Sequence, residues 1–392
     1  MQRKTYAVIS GTRIQENVQE IIREYQDYKY YIGVVKNNAY HHGMRCILDM
    51  IEGGVNYLAV SSLEEALHVR KYSQEIPVLC LEPISLECID DAINANITLT
   101  IESLPYLKKL IKSDLYANLK IHLAIDSGMN RLGFKTKEEL NEAIKIIKEN
   151  KKIILEGIYT HFATSGITDA HWDKQLKKFE NITSDIDLST IPIVHLGRSL
   201  TLVNHKRIPC ANAVRLGIIM YGFSQSKTLG TGLKGKLRML KMKYLQKKNH
   251  CSPTTIQNNL NLKTAMALYS EVMSIREVKE NDYVGYDSYK ILEDGYVITI
   301  PIGYADGVTK EFGNVYIKGE YCEIVSDCMD MIMVFSKKKC KIGDQVEIFG
   351  EHIPVKTICQ KCNINAYHLF NQISNRVTRV HISKNRKEEI IY

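Results

Sequence analysis

The side chains with the greatest chemical reach stand at the ends of apolar runs. Lys36 closes the run 30–35 (YYIGVV). Asp126 and Arg131 follow a second run, His161 ends a third, Ser199 follows a fourth, and Arg215 with Gly217 lies in a fifth. A lysine at the end of an apolar strand loses hydration, which lowers its pKa and frees its amine to attack an aldehyde. An aldehyde cofactor carrying a phosphate needs a hydroxyl and backbone N–H donors, which Ser199 and the Gly217-Ile218 backbone offer. The ring of such a cofactor is an electron sink for a carbanion. Each residue alone has an ordinary structural explanation. The set is informative because it gathers a lysine, a histidine and two arginines at one level.

That level is set by the elements. Ile14, Val18, Ile21, Ile22 and Tyr25 share one helical face, and Thr12 with Gln15 predicts a capping box at its start. Short apolar runs then alternate with helical patterns: 30–35, 56–60, 77–81, 97–101, 120–126, 154–161, 191–196 and 213–219. Such runs between turn signals read as buried parallel strands. Ser62 with Glu65, and Thr136 with Glu139, predict helix starts between them. Eight strand–helix units within about 200 residues predict an α/β fold with a closed, TIM-type (β/α)8 barrel. Function in such barrels sits at the carboxyl ends of the strands, where the reactive side chains fall.

After Tyr221-Gly222 the periodicity fails. Residues 226–261 read as a Lys-rich insertion or linker, dividing a barrel at 10–225 from a mainly antiparallel β domain at 262–392, with runs such as GYVITIPIGY and DQVEIFG. A chain of 392 residues is long enough for two domains. Its 45% hydrophobic and 24% charged content is ordinary for a globular protein. The net charge of +8 is local, because eight Lys or Arg residues and no acid lie between Lys227 and His250. The remaining 44 basic residues balance 44 acidic ones, so no nucleic-acid partner is expected. The basic stretch reads as a solvated insertion, with docking to an acidic partner as the alternative. The ten cysteines read as reduced thiols, and Cys359-Gln-Lys-Cys362 lacks a matching second pair, so no metal is expected. There is no signal-like leader and no run of about 20 apolar residues, which predicts a cytoplasmic protein without a membrane partner.

The ordered motifs carry a resemblance. VVKNNAYHHG around Lys36, HLAIDSGMNRLGF (122–134), GIYTHFAT (157–164), AVRLGIIMYG (213–222), VGYDSY (284–289), IPIGYADG (300–307) and CMDMIMV (328–334) resemble successive motifs of the alanine racemases. The resemblance spans nearly the whole chain apart from 226–260. It implies a barrel plus a β domain joined by residues 1–9, and a head-to-tail homodimer with shared active sites. It implies pyridoxal 5'-phosphate held as an imine on Lys36, which also serves as the base on one substrate face. Tyr286 of the other subunit would be the base on the opposite face. Tyr40, Ser199, Gly217 and Ile218 would hold the phosphate, and Arg215 would face the pyridine nitrogen. His161 would link Arg215 to Tyr286. Arg131 and the backbone at Met329 would hold the substrate carboxylate, and Tyr304 would narrow the entrance. The implied activity is interconversion of L- and D-alanine, supplying D-alanine for peptidoglycan.

The chemistry of these residue types agrees. Racemisation needs proton donors on opposite faces of one carbon, so two bases are economical. A tyrosine with a free pKa near ~10 needs positive charge nearby to act as one. Arginine does not release its proton, so a ring facing it stays neutral and reprotonation at the wrong carbon is disfavoured.

Several positions depart from the family pattern. Ala124 replaces a lysine that orients the arginine, so Arg131 needs another anion, such as bound chloride. Arg198 stands for asparagine, His41 for glycine, and Asn375 for a phosphate-binding tyrosine. The segment EIVSDC before Met329 lacks a Gly-Arg pair. These changes motivate two alternatives: a broader racemase acting on serine or a basic amino acid, and a cofactor-binding homologue without turnover.

Overall fold

The computed structural model of the chain describes residues 4–164, 166–224, 232–252, 254, 260–286, 288–384 and 386–390. Its first strand, β1 (Tyr6–Ser10), belongs to the second sheet. The next eight form a closed parallel barrel: β2 (Tyr30–Val34), β3 (Tyr57–Val60), β4 (Val78–Cys80), β5 (Ile97–Ile101), β6 (Leu119–Ile125), β7 (Ile153–Thr160), β8 (Ile193–Arg198) and β9 (Ala213–Leu216). β2 pairs with both β3 and β9, which closes the ring. Helices cover the outside and side chains fill the inside, so β3 and β5 are buried at every position. This is the (β/α)8 architecture predicted from the alternating runs.

Local capping fixes where the helices begin. Ser62 Oγ accepts from the Glu65 N–H at 3.3 Å and Thr136 Oγ1 from the Glu139 N–H at 3.2 Å, as predicted. The first helix (Gly11–Glu24) differs. Its cap is Ser10, whose hydroxyl accepts from the Arg13 N–H, in place of the predicted Thr12–Gln15 box. The cause is β1, which runs to Ser10 and donates from there to the Ala265 carbonyl, so the helix starts as soon as the strand ends.

The remaining strands are β10 (Met266–Glu271), β11 (Ser274–Val278), β12 (Tyr283–Val284), β13 (Tyr289–Lys290), β14 (Gly295–Ile300), β15 (Asn314–Ile317), β16 (Glu320–Asp327), β17 (Ile332–Ser336), β18 (Gln345–Phe349), β19 (Thr378–Ser383) and β20 (Arg386–Ile390). Ten strands, in the order β11-β14-β17-β16-β15-β18-β10-β1-β19-β20, make one sheet, antiparallel throughout except β1 against β19. Burial alternates along β10 and β15, as it does in a sheet with one face on a core. β12 and β13 form a separate small hairpin. One hydrophobic core runs through the barrel and the large sheet. At their junction His381 Nε2 and Ser383 Oγ bond Asp49, whose carboxylate lies so close to Gly11 that a Cβ there would meet it at 2.4 Å.

The Lys-rich segment carries a helix, Gly232–Lys248, which the failing periodicity did not predict. It is tied to the loop after β7, where Gln246 donates to the Ile167 carbonyl and Asn249 to the Thr168 carbonyl. Among the described residues, no helix is long and apolar enough to cross a membrane.

Candidate active site

Lys36 leaves β2 on an unusual turn. The five residues after it all have positive φ: Asn37 at 51°, Asn38, Ala39 and Tyr40 at 53°, and His41 at 61°. This is one turn of left-handed helix, a conformation costing roughly 1–2 kcal/mol per L-residue and least unfavourable for asparagine. The paired asparagines suit it, and neighbours hold it. Ala39 N–H donates to the Val35 carbonyl, Asn37 N–H to Glu65 Oε1 at 2.6 Å, and Met44 N–H to Asn38 Oδ1 at 3.0 Å. Glu65 is itself fixed by the N–H and hydroxyl of Ser61. The turn leaves Lys36 half-buried at the rim and sends Tyr40 back inside, 7% exposed.

Tyr40 meets the ends of two other strands. Gly217 N–H, after β9, donates to Ser199 Oγ, after β8, at 3.0 Å. A Cβ on Gly217 would lie 3.1 Å from the Tyr40 hydroxyl and 3.7 Å from Ser199 Oγ, so the missing side chain leaves a small polar cradle. Tyr367, on the helix Ala366–Gln372 of the β domain, packs on Tyr40 with ring centres 5.5 Å apart, and its hydroxyl is engaged by the Ile218 backbone. Arg198 lines the same space. Among the described residues its buried Nε has no hydrogen-bond partner, and Nη2 reaches the Ala163 carbonyl at 3.5 Å.

Arg215 is buried and held from behind. Nη1 lies 2.6 Å from His195 Nδ1 and 2.7 Å from the His195 carbonyl, while Nη2 donates to the Thr160 carbonyl at 2.7 Å. A relay continues through the barrel interior: His195 Nε2 to His122 Nδ1 at 2.8 Å, then His122 Nε2 to Glu156 Oε2 at 3.3 Å. Arginine can only donate, so His195 Nδ1 accepts and its Nε2 carries the proton. The same logic puts the His122 proton on Nε2, facing Glu156. Burial, then the field of Arg215, pushes His195 far below the usual histidine range, which keeps it neutral. Burial pulls Arg215 down to about 10, so it stays charged at neutral pH.

These groups line one cavity of about 820 Å³ at the carboxyl rim, with Lys36, Tyr40, Arg131, His161, Ser199, Arg215 and Gly217 on its wall. Burial, followed by the fields of Arg215, Arg198, Arg131 and Lys36, drives His161 down to about 2. The hydrogen bonds of Arg215 go to His195 and backbone carbonyls, so the link expected from His161 to Arg215 is electrostatic in the single chain. Arg131 has no acidic partner among the described residues, and buried Ala124 offers none. A second depression of about 810 Å³ lies around Asn141, Leu155 and Asp187 and contains none of the candidate groups.

Three expected residues lie elsewhere. Tyr286, Tyr304 and Met329 are on the β domain, 87%, 50% and 55% exposed, and none lines the cavity. They are nevertheless built as one edge. Gly285, at φ 69°, is pressed against Ser326, where a Cβ would meet the hydroxyl at 1.9 Å. The Tyr304 N–H donates to the Cys328 carbonyl and the Ala305 N–H to that of Met329. Tyr367 and Asn371, which line the cavity from the β domain, and His122, His195 and Glu156 of the relay were not singled out from the sequence. Their relevance arises from contacts across the barrel and between the barrel and the β domain, for which no local motif exists.

Two family models match the chain: "Alanine racemase, N-terminal domain" over residues 9–225 and "Alanine racemase, C-terminal domain" over 265–381. An alanine racemase of Ligilactobacillus salivarius is 31% identical over 97% of this chain and 98% of that protein. One from Streptococcus gordonii is 33% identical at the same coverage, 97% and 98%. The crystal structure of a Bacillus anthracis alanine racemase with bound L-Ala-P matches with a TM-score of 0.85 at 28% identity, covering 100% of this chain and 98% of that one.

Proposed function

The chain belongs to the alanine racemase family, and from that premise we propose that it interconverts L- and D-alanine with pyridoxal phosphate, using one base from each of two subunits. The observation that carries this is the convergence of Lys36, Tyr40, Ser199, Gly217 and Arg215 in one cavity at the barrel mouth. The cradle left by Gly217 between two hydroxyls is of a size and polarity that suit a phosphate. When bound, pyridoxal phosphate supplies an aldehyde for the Lys36 amine and a ring that accepts the electron pair left as the α-proton departs.

The chain's own groups do the rest. Tyr40, Ser199 and the backbone at Gly217 and Ile218 would hold the phosphate. Arg215, its direction fixed by His195 and the Thr160 carbonyl, would face the ring nitrogen and keep its own proton. Arg131 takes the substrate carboxylate, joined by the backbone at Met329 of the partner subunit. The Lys36 amine moves the proton on one face, and the phenol of Tyr286 of the partner subunit moves it on the other. Tyr286 projects from the β domain of a single chain, as a residue delivered to a neighbouring site must. His161, neutral between that phenol and Arg215, positions the tyrosine, and Tyr304 narrows the entrance. A cytoplasmic homodimer supplying D-alanine to peptidoglycan follows from this reading.

A cavity walled by Lys36, Arg131, Arg198 and Arg215 disfavours a substrate with a cationic side chain. The test is the dimer, loaded with cofactor, offered alanine, serine, lysine and arginine and followed by chiral chromatography. Alanine should racemise fastest. Protein that takes up the cofactor but racemises no amino acid would overturn the reading.

A further inference from the structure

The helix Gly232–Lys248 presents two faces of different character. Its inner face carries Met242, Leu245 and Gln246, all half-buried, and it is bonded to the loop at 167–168. Its outer face carries Leu233, Leu237, Leu240 and Tyr244, which are 81%, 66%, 64% and 65% exposed. These four recur at i, i+4, i+7 and i+11. At 3.6 residues per turn they form one apolar stripe along the whole helix. Exposed Lys236, Lys243 and Lys247 flank the stripe on one side, and exposed Lys241 and Lys248 on the other. No acidic residue occurs from Lys227 to His250. A merely solvated lysine helix accounts for the cations but not for four large apolar side chains aligned outward.

We propose that this face binds an anionic lipid surface peripherally, the stripe entering the headgroup boundary and the flanking lysines meeting lipid phosphates. A helix with an apolar ridge and cations on both shoulders is the form that lies in such an interface. A planar anionic surface satisfies both shoulders at once, and it needs no shaped groove to receive a convex ridge. A second copy of the chain fits less well. Two of these helices repel each other, and the rest of the chain balances 44 basic against 44 acidic residues, so it offers no opposing net field. The inference does not depend on the catalytic reading. It revises the sequence-based expectation of no membrane partner, because only the fold shows which side chains share the outward face.

The test is flotation of the full-length dimer with vesicles of phosphatidylglycerol and phosphatidylcholine, and with vesicles of phosphatidylcholine alone. The bound fraction should be about tenfold higher with the anionic lipid. It should fall when salt rises from about 0.05 to about 0.5 M, as screening shortens. Leu237→Glu with Leu240→Glu, and separately Lys241→Glu with Lys248→Glu, should each remove binding while circular dichroism and solution racemisation stay unchanged. Equal binding to both vesicle types, or none, would overturn the proposal. So would a shift of the Leu237→Glu/Leu240→Glu protein to monomer in light scattering, which would assign the stripe to a second copy. Retention on poly-glutamate without vesicle binding would assign it to an acidic protein.

Discussion

At the scale of single residues, Glu156 anchors the polar chain that ends at Arg215. Its Oε2 accepts from Tyr57 at 2.7 Å and from Thr98 at 3.0 Å, and it lies 3.3 Å from His122 Nε2. Burial alone would raise its pKa, but the hydrogen bonds from His122, Tyr57 and Thr98 outweigh burial and hold it at about 2. A carboxylate depressed in the folded state adds stability above its unfolded pKa, and that stability is lost as pH falls through the folded value. The Glu156 contribution is therefore complete above pH 4.5 and disappears toward pH 2. Glu156→Gln should cost about 1.5–3 kcal/mol at pH 7, the range for a hydrogen bond to a charged group. Urea unfolding should show the gap from wild type narrowing between pH 4.5 and 2. A gap independent of pH would mean that Glu156 serves by shape rather than by charge.

At the scale of elements, the left-handed turn 37–41 is the part of the site that local propensity opposes. Each L-residue in it prefers another conformation, yet Lys36 and Tyr40 need it to face one cavity. Its stability rests on the two asparagines and on Glu65. Asn37 is exposed, and its side chain makes no hydrogen bond among the described residues, so it isolates the backbone term. Asn37→Ala should lower stability by about 1 kcal/mol, while Asn37→Gly should not, as measured by denaturant midpoint. Equal losses for both substitutions would show that the asparagine side chain, rather than its tolerance of positive φ, matters there. The glycine at 285 has the same origin: the hairpin around Tyr286 closes only where no Cβ meets Ser326.

At the scale of the whole molecule, the single chain keeps Lys36 and Tyr286 apart, one in the cavity and the other exposed on the β domain. In the proposed head-to-tail pair they would meet twice, once at each site. Lys36→Ala and Tyr286→Phe should each be inactive as homodimers. Subunit exchange between them should restore about one quarter of wild-type activity, because half the dimers are mixed and each holds one intact site of two. Restoration should follow the exchange time course in a chiral assay. Two proteins that exchange subunits yet remain inactive would place both bases in one chain.

The sequence by itself determined the strand–helix alternation and the level of the reactive residues. Buried parallel strands are short apolar runs; Lys36 and His161 stand just past the ends of two of them and Arg215 lies within a third, so all three were legible in place. Ordered motifs also carried the family. The tertiary structure alone decided what touches what: the relay from Glu156 through two histidines to Arg215, Tyr367 against Tyr40, and the outward ridge of the Lys-rich helix. Those contacts join residues 20 to more than 300 positions apart, for example His195 with Arg215 and Tyr40 with Tyr367. The helix start at Ser10 was missed for the same reason, since a strand paired at Ala265 sets it. Periodicity and propensity act over a turn or a strand, whereas barrel closure and sheet register fix distances that no local pattern encodes.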